Sequence, residues 1–247
     1  MRGVTHAVTA GAAYAAAGVS IWHQPVPLLL TGTAIAIGAG VLPDLDTARS
    51  AVALSFGKAS QGLAWVVAKI SGGHRKDTHT AIGDGACALL ALGAIALEGW
   101  HRTLRLEGFT VHYSVGRVLL WAYLGLLLGA GAMALHVLRR HKWWREGLAL
   151  AAAAALAGTG YATGSVGWAI LIGTAVHAMG DELTKHGVAY LAPITQHRFH
   201  LLPQWACIET GGPVERRLIM PAASAALVLL LALSAYHAAA LPSWPAL

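Results

Sequence analysis

Long apolar segments separated by short polar ones extend along the whole chain. A helix needs about 20 apolar residues to cross a bilayer. About seven segments approach or reach that length: residues 4–22, 26–42, 79–98, 115–138, 146–163, 165–183 and 218–240. No internal repeat and no domain boundary interrupts them. The pattern predicts an all-α, polytopic membrane helix bundle formed by a single domain, residues 1–247.

Two stretches between these segments have a different pattern. Residues 51–73, AVALSFGKASQGLAWVVAKISGG, are rich in apolar positions but are interrupted by Lys58, Gln61 and Lys69. Such a mixture is typical of an amphipathic helix that lies in the membrane interface. Residues 185–217 carry prolines, aromatic residues and charges. We expect them to form a re-entrant or a surface-packed loop.

The composition argues against a soluble protein. Hydrophobic residues make up 56% of the chain and charged residues only 11%, and the mean hydropathy is +0.59. A soluble domain carries about 25% charged residues, so this chain has too few to cover a surface that faces water. We expect the first helix to be retained, because His6 interrupts the pattern of a signal peptide. Cys87 and Cys207 are too few for a disulfide framework or a zinc ribbon, so we expect free thiols.

The basic residues divide unequally between the two ends of the predicted helices. We call one end the basic side; it holds the N-terminus and the loops 43–78, 139–145 and 184–217. Fourteen of the 17 Lys and Arg residues lie there, and the opposite side keeps Arg102, Arg105 and Arg117. By the positive-inside rule the basic side is cytoplasmic. The sequence therefore predicts a multi-pass protein of the prokaryotic cytoplasmic (inner) membrane, with its C-terminus outside. Because the charge reflects topology, we expect no binding to nucleic acid.

Histidine and carboxylate side chains occur at the ends of five predicted helices, all on the basic side. His177 and Asp181 are four residues apart, so they project from one face of a helix. Ionisable groups at membrane depth are costly unless something binds them. The residues that share this placement are His6, Asp44, Asp46, His74, His79, His177, Asp181 and Glu215. Unrelated polar residues would not gather on one side, so we infer a common site.

A metal centre explains this set of side chains. Imidazole nitrogens and carboxylate oxygens suit divalent ions such as Zn²⁺ or Mn²⁺. Eight candidate ligands exceed the need of one ion, so we expect two, which together activate water for hydrolysis. Asp46 is a candidate general base, and Arg75 and Lys76 are expected to steady a phosphate by their charge. Further candidates for the same cleft or its ligands are Thr78, Thr184, Lys185, His186, His197 and His200.

Each of these residues has a simpler explanation when it is taken alone. His6 could be a hydrogen-bonded interface residue, and LPDLD could end a helix. His177 and Asp181 could form a buried hydrogen-bonded pair, and Glu215 could interact with a helix N-terminus. Two other functions would use the same ligands. A divalent metal-ion transporter should hold them near the membrane midplane, and a non-catalytic scaffold would use the metal only to join helices.

The order of the motifs resembles the YdjM-like family. GVTHA, LPDLD, HRKDTHT and HAMGDELTKHG follow one another as in that family, over most of the chain from His6 to Glu215. Thr80 stands where the family has serine, and TKHG replaces Thr-Pro-Ala-Gly. The segment 98–146, with an extra helix or two, departs from shorter members. The resemblance implies a LexA-regulated, inner-membrane, metal-dependent hydrolase and names no substrate.

The ligand order is also similar, more distantly, to the zinc-dependent phospholipase C and P1-type nuclease group. Both have a histidine, an aspartate and a histidine before an HxxxD motif. That group continues with another histidine and an HxxxE motif, and in this chain Glu215 is the one candidate for that place. The similarity implies phosphoester chemistry. Because the site is predicted at the membrane interface, we expect membrane lipids as partners and a lipid or lipid-linked phosphate as substrate.

Overall fold

The computed structural model describes residues 1–72, 77–106, 109–160 and 164–240. This part of the chain is mostly helical, as the sequence predicts. Its helices are α1 (Gly3–Ser20), α2 (Val26–Ala39), α3 (Ala51–Leu54), α4 (Lys58–Ile70), α5 (Ala81–Ala96), α6 (Val115–Ala134), α7 (Lys142–Thr159), α8 (Val166–Glu182) and α9 (Met220–Ala240). Single turns of 3₁₀ helix cover Pro43–Asp46, Asp77–His79 and Gln204–Ala206, and a π-helical turn, Glu215–Ile219, leads into α9.

Each apolar segment predicted from the sequence contains a helix: α1, α2, α5, α6, α7, α8 or α9. Within the described residues, three stretches are long and apolar enough to cross a membrane: Val26–Asp46, Val115–Ala134 and Glu215–Ala239. α5 is apolar but shorter. Three candidate spans are therefore established by length and composition, and the number of seven spans stays a prediction.

A β-hairpin lies between α5 and α6, and this corrects the all-α class. β1 (His101–Leu106) pairs antiparallel with β2 (Phe109–Ser114), with His101 opposite Ser114. The segment FTVHYS alternates apolar and polar residues with a period of two, and it is rich in aromatic and β-branched side chains. Both features favour a strand over a helix. The hairpin is short beside the long apolar helices, so hydropathy alone does not reveal it.

The central helices approach one another closely because small residues lie between them. α1 packs against α2, α8 and α9, and α8 also packs against α2 and α5. A Cβ atom on Gly173 of α8 would lie 2.6 Å from Ala39 Cβ and 2.8 Å from the Ala36 carbonyl oxygen. A Cβ atom on Gly40 would lie 2.7 Å from the His6 carbonyl oxygen. Such contacts between helix backbones need small residues, and they bring α1, α2 and α8 together on the basic side.

Most of the amphipathic helix α4 is exposed, including both apolar residues and the polar Lys58, Gln61 and Lys69. Trp65 and Ile70 are exposed, whereas Ser60 and Ala64 are buried. Exposed apolar residues of this kind are typical of contact with lipid. This arrangement fits the interfacial helix predicted for residues 51–73, whose helical parts are α3 and α4.

The long loop after α8 packs on the surface at the basic-side end of that helix. Val188 and Phe199 form an isolated antiparallel bridge, and Thr184 and Ile208 form a parallel one. Trp205 is exposed. Both alternatives predicted for this loop, a re-entrant and a surface-packed one, stay predictions.

Candidate metal centre

Five of the predicted ligands meet where α1, α2, α5 and α8 reach the basic side. His6 lies in the first turns of α1, and His177 and Asp181 lie in the last turns of α8. Asp44 belongs to the turn after α2, and His79 to the turn before α5. The three histidines and Asp181 are buried almost completely, whereas 22% of the Asp44 side chain is exposed. The cluster is therefore buried and has one partly open carboxylate.

These side chains form two overlapping groups among the described residues. In each group the ligand atoms all lie within 4.8 Å of one another. The first group is His6, His177 and Asp181, and the second is Asp44, His79 and His177. Each is a combination of imidazole and carboxylate ligands that suits a divalent transition metal.

Four ligand atoms face one another where the groups overlap. The Nε2 atoms of His79 and His177 are 3.2 Å apart. Asp44 Oδ1 lies 3.6 Å from the first nitrogen and 3.8 Å from the second. Asp181 Oδ2 lies 4.0 Å from each of them. With metal–ligand bonds of about 2.0–2.2 Å, tetrahedral ligands are about 3.3–3.6 Å apart. The four atoms are therefore spaced to hold one ion after small adjustments.

The other oxygen of Asp181 faces His6. Asp181 Oδ1 lies 3.3 Å from His6 Nε2, and the amino group of Met1 donates to the same oxygen at 2.6 Å. The His6 ring stacks on the His177 ring with a centroid distance of 3.8 Å. Nδ1 of His6 is buried and has no hydrogen-bond partner in the described part of the chain. Asp181 thus contacts the Met1 ammonium and His6 through Oδ1, and it faces the other two histidines through Oδ2.

Hydrogen bonds behind the two central histidines decide which nitrogens carry protons. His177 Nδ1 lies 2.8 Å from the Gly40 carbonyl oxygen, which only accepts, so Nδ1 is the donor. The Thr78 hydroxyl donates to Asp46 Oδ2 at 2.6 Å, and its oxygen therefore accepts from His79 Nδ1 at 2.9 Å. A neutral imidazole has one N–H and one lone pair. With both rings neutral, the two Nε2 atoms would present lone pairs to each other, and with a second proton on one ring they would share a hydrogen bond.

This arrangement of donors fits a divalent cation. In the neutral form of both rings, the two Nε2 lone pairs would face each other across 3.2 Å, and a cation between them would remove their repulsion. Asp181 is 2% exposed and pairs with the Met1 ammonium through Oδ1 at 2.6 Å, so its Oδ2 is the oxygen that faces the two histidine nitrogens. A metal ion would satisfy the nitrogens and the carboxylates together. The hydrogen bonds to the Nδ1 atoms are the kind that orient metal-ligating histidines.

Asp46 lies behind His79, on the side away from Nε2. Its Oδ2 is 3.6 Å from His79 Nδ1, and its Oδ1 accepts from the Thr47 hydroxyl at 3.0 Å. Among the described residues, neither group that could hold an ion includes Asp46. This position favours an orienting role for Asp46 over the predicted roles of metal ligand and general base. Thr78, predicted to lie in the catalytic cleft, connects Asp46 to His79.

Glu215 is buried but lies outside both groups of described residues. Its Oε1 accepts from the Arg2 amide N–H and from the Thr5 hydroxyl, each at 2.6 Å. Its Oε2 accepts from the Gly211 amide N–H at 2.6 Å. The structure thus places Glu215 at the junction of α1 with the turn before α9. This geometry favours a structural role over the predicted role of metal ligand.

The remaining predicted residues have varied positions. Thr184 is buried, and its hydroxyl donates to the Asp181 carbonyl oxygen at 2.7 Å, so it caps the end of α8. His200 lies 3.4 Å from the Lys185 carbonyl oxygen and outside both groups. Three further candidates are exposed: Lys185, His186 and His197. Three others lie outside the described residues, and their roles stay predictions: His74, Arg75 and Lys76.

Asp84 is a buried carboxylate that the sequence analysis missed. It lies in the first turn of α5 and is 1% exposed. The Tyr190 hydroxyl donates to its Oδ2 at 3.0 Å, and its Oδ1 has no hydrogen-bond partner in the described ranges. A single carboxylate within an apolar helix, as in AIGDGACALL, is the signal that could have identified it. Asp84 therefore links α5 to the loop after α8 beside the candidate metal centre.

A cavity of about 720 Å³ opens beside Asp44 on the basic side. Its walls come from the start of α1, from Asp44, from α3 and from the connection between α6 and α7. Asp44 is also the partly exposed member of the metal-ligand groups. The cavity is therefore a route by which a molecule could reach the candidate metal centre.

Comparison with known proteins identifies the family. A family model described as YdjM inner membrane protein matches residues 1–241. The chain therefore belongs to this family, which confirms the resemblance seen in the order of its motifs. No curated protein and no solved structure matches the chain significantly. The family description gives a location in the inner membrane and no activity, so the chemistry is inferred from the site.

Proposed function

We propose that this inner membrane protein of the YdjM family is a metal-dependent hydrolase that acts on a lipid or lipid-linked phosphoester at the cytoplasmic face. One observation carries the proposal. Two buried histidine nitrogens lie 3.2 Å apart, with oxygens of Asp44 and Asp181 within 4.0 Å of them. Such a ligand set is typical of a catalytic metal centre when one side is open.

The ligand atoms divide between two metal-binding positions, which we expect to differ in affinity. His79, His177, Asp44 Oδ1 and Asp181 Oδ2 would hold the first ion, Zn²⁺ or Mn²⁺. His6 and Asp181 Oδ1 would contribute to a second ion. Because His177 has a single lone pair at Nε2, it serves one position only, and we expect the second ion to bind more weakly. When bound, such ions supply the Lewis acidity that activates water and stabilises a leaving oxygen near neutral pH.

The residues around the candidate metal centre determine from which side substrate and water would reach it. Asp46 and Thr78 hold the His79 ring from behind, and the Gly40 carbonyl holds the His177 ring. Asp44 reaches the cavity on the basic side. Substrate and water would therefore approach from the Asp44 side, where the site meets the cavity.

The position of the site supports a substrate at the membrane surface. The cavity lies on the basic side, which the positive-inside rule places in the cytoplasm. Trp143 and Trp144, at the start of α7, are 82% and 69% exposed. Exposed tryptophans beside basic residues are typical of the level of lipid head groups. A phosphoester attached to a lipid would meet the cavity at this level.

We also infer that the shorter helices cross the membrane together with the three long ones. α1 and α7 have 18 residues, α8 has 17 and α5 has 16. At 1.5 Å per residue they are about 24–27 Å long, close to the thickness of the hydrocarbon core. Seven spans keep the basic residues on one side, which supports this count.

The alternatives of a transporter and a scaffold are less well supported. His6, Asp44, His79 and Asp181 lie at helix ends or in the adjoining turns, whereas transport sites lie near the midplane. A structural metal site is closed by its ligands. Here Asp44 is 22% exposed and lines a cavity, so solvent and small molecules would reach one of the proposed ligands.

The experiment that tests the function combines metal content with catalysis. Protein purified in detergent and reconstituted with Zn²⁺ or Mn²⁺ is analysed for bound metal and for release of phosphate or head group from lipid phosphoesters. We expect wild type to bind metal and to hydrolyse at least one of them, and we expect His177→Ala and Asp44→Ala to lose both properties. His197→Ala is the matched control, because this histidine is exposed on the same side and lies outside both groups. Metal binding without hydrolysis would favour the scaffold, and absence of metal would refute the proposal.

A further inference from the structure

We propose that the cavity beside Asp44 binds the phosphate group of the substrate through a set of arginine and lysine side chains centred on Arg145. This inference rests on the proposed function and specifies how the substrate is recognised. The charged residues that line the cavity are Arg2, Asp44, Arg49, Arg139, Lys142 and Arg145. Five of these six are cations, and the single anion is a candidate metal ligand.

Arg145 is the residue that points to a bound anion. It is only 5% exposed, although it lies in the first turn of α7 among exposed residues. Its Nε is buried and has no hydrogen-bond partner among the described residues. A guanidinium stays charged, and a buried donor without a partner costs free energy. An anion in the cavity would supply the missing acceptor.

The neighbouring carboxylate does not satisfy this arginine. Glu146 Oε1 lies 3.9 Å from Arg145 Nη2 and 3.8 Å from Lys142 Nζ. Both distances are too long for hydrogen bonds, and the same oxygen has no hydrogen-bond partner in the described part of the chain. Glu146 thus offsets part of the charge but leaves the donors of Arg145 available.

The burial of Arg145 distinguishes it from basic residues that only determine the orientation of the protein in the membrane. Arg140 lies in the same basic connection, is exposed, and does not line the cavity. A residue that serves the positive-inside rule needs only to be on the cytoplasmic side. Arg145 instead faces a cavity of about 720 Å³, within the range of small-molecule sites, about 300–1,000 Å³.

The surroundings favour a phosphate over other anions. α7 begins at Lys142, so the positive end of its helix dipole lies at the cavity wall and adds to the positive potential. Several fixed cations within one cavity suit an anion with several oxygens, and arginine suits phosphate because its planar fork can donate two parallel hydrogen bonds. The phosphate could belong to a lipid head group or to a soluble ester.

The test measures binding separately from catalysis. Full-length protein with its metal is titrated with inorganic phosphate in detergent, and phosphate affinity and metal content are measured for each variant. We expect Arg145→Gln to weaken phosphate binding at least tenfold with metal content unchanged, and Arg145→Lys to weaken it less. Lys142→Gln should weaken it several-fold, which tests the cavity if Arg145→Gln does not fold. Arg140→Gln is the matched control and should bind as wild type. Equal affinity in wild type and both arginine variants, or an equal loss in Arg140→Gln, would overturn the proposal.

The two sources of phosphate are distinguished in nanodiscs. If lipid head groups occupy the cavity, phosphatidylglycerol nanodiscs will weaken binding of inorganic phosphate relative to detergent, and Arg145→Gln will abolish this competition. If the ligand is soluble, the affinity will stay the same in nanodiscs and in detergent and will still depend on Arg145. Phosphate binding that depends on Arg145 without hydrolysis would refute the hydrolase and keep the subsite. Hydrolysis with an unchanged KM in Arg145→Gln would keep the hydrolase and refute the phosphate subsite.

Discussion

Nε2 of His79 and Nε2 of His177 lie 3.2 Å apart, although their rings come from turns and helices almost 100 positions apart in the chain. Each ring uses its Nδ1 to donate a hydrogen bond, to Thr78 and to Gly40 respectively. The two Nε2 atoms therefore face each other between the carboxylates of Asp44 and Asp181. These four side chains are the ligands of the proposed metal centre, so most predictions for this protein concern metal.

Metal should bind in two steps of different affinity. We expect His79→Ala and His177→Ala to lose the tightly bound ion, and His6→Ala to lose only the weaker one, because His6 Nε2 faces Asp181 Oδ1 whereas Asp181 Oδ2 faces the central pair. Metal content per chain, measured by mass spectrometry after dialysis against graded chelator, separates the steps. One class of ions, lost equally in all three variants, would contradict the division.

Thr78→Val should weaken metal binding without removing a ligand. The valine neither donates to Asp46 nor accepts from His79 Nδ1, so the ring loses its orientation. Loss of such an outer contact typically lowers metal affinity by about 10–100-fold. Thr47→Val is the control, since Thr47 contacts Asp46 on the other oxygen. Competitive titration with a chelating dye measures the metal affinity of both variants. Identical affinities would show that the contact from Thr78 to His79 does not support metal binding.

Glu215→Gln should destabilise the protein and leave its metal in place. The carboxylate accepts three hydrogen bonds that join the start of α1 to the turn before α9. Weakening a buried hydrogen-bonded network of this kind should cost about 1–3 kcal/mol. Thermal unfolding in detergent measures the loss of stability, and the metal content per chain shows whether the metal is retained. Loss of metal at unchanged stability would restore Glu215 as a ligand.

Gly173→Val should lower both stability and metal affinity. Even a Cβ atom at this position would lie 2.6 Å from Ala39 Cβ, so α2 must move away from α8. That movement weakens the hydrogen bond from His177 to Gly40. Overpacking of this kind costs about 1–3 kcal/mol. Gly62→Val in α4 is the control, since a Cβ atom there meets nothing within 4 Å. If Gly173→Val behaves like Gly62→Val, the close packing of α2 and α8 is wrong.

The β-hairpin and the basic connection before α7 should lie on opposite sides of the membrane. We expect a cysteine introduced at Thr110, in β2, to react with an impermeant maleimide in intact cells. A cysteine at Arg140 should react only after the membrane is opened. The predicted seven spans require this difference. Labelling of both sites in intact cells would show that the number of crossings between them is even.

Several features could be predicted from the sequence because they depend on local composition. Apolar runs of near-spanning length indicate helices, and each of them contains one in the structure. The orientation that the uneven distribution of Lys and Arg indicates stays a prediction. The i, i+4 spacing of His177 and Asp181 predicts a shared face, which the structure has. The hairpin was missed because strands of six residues leave little signal beside long apolar helices.

The sequence by itself determined that the chain is a mostly helical inner membrane protein, and it brought His6, Asp44, His79, His177 and Asp181 to one side. Only the tertiary structure decided which of the predicted residues face one another. Asp46 and Glu215 are as acidic and as close to helix ends as Asp44, yet they orient His79 and join α1 to α9. Arg145 is distinguished from Arg140 by burial beside a cavity. Hydropathy and charge act along the chain, whereas the direction of a carboxylate or guanidinium depends on contacts between helices distant in sequence.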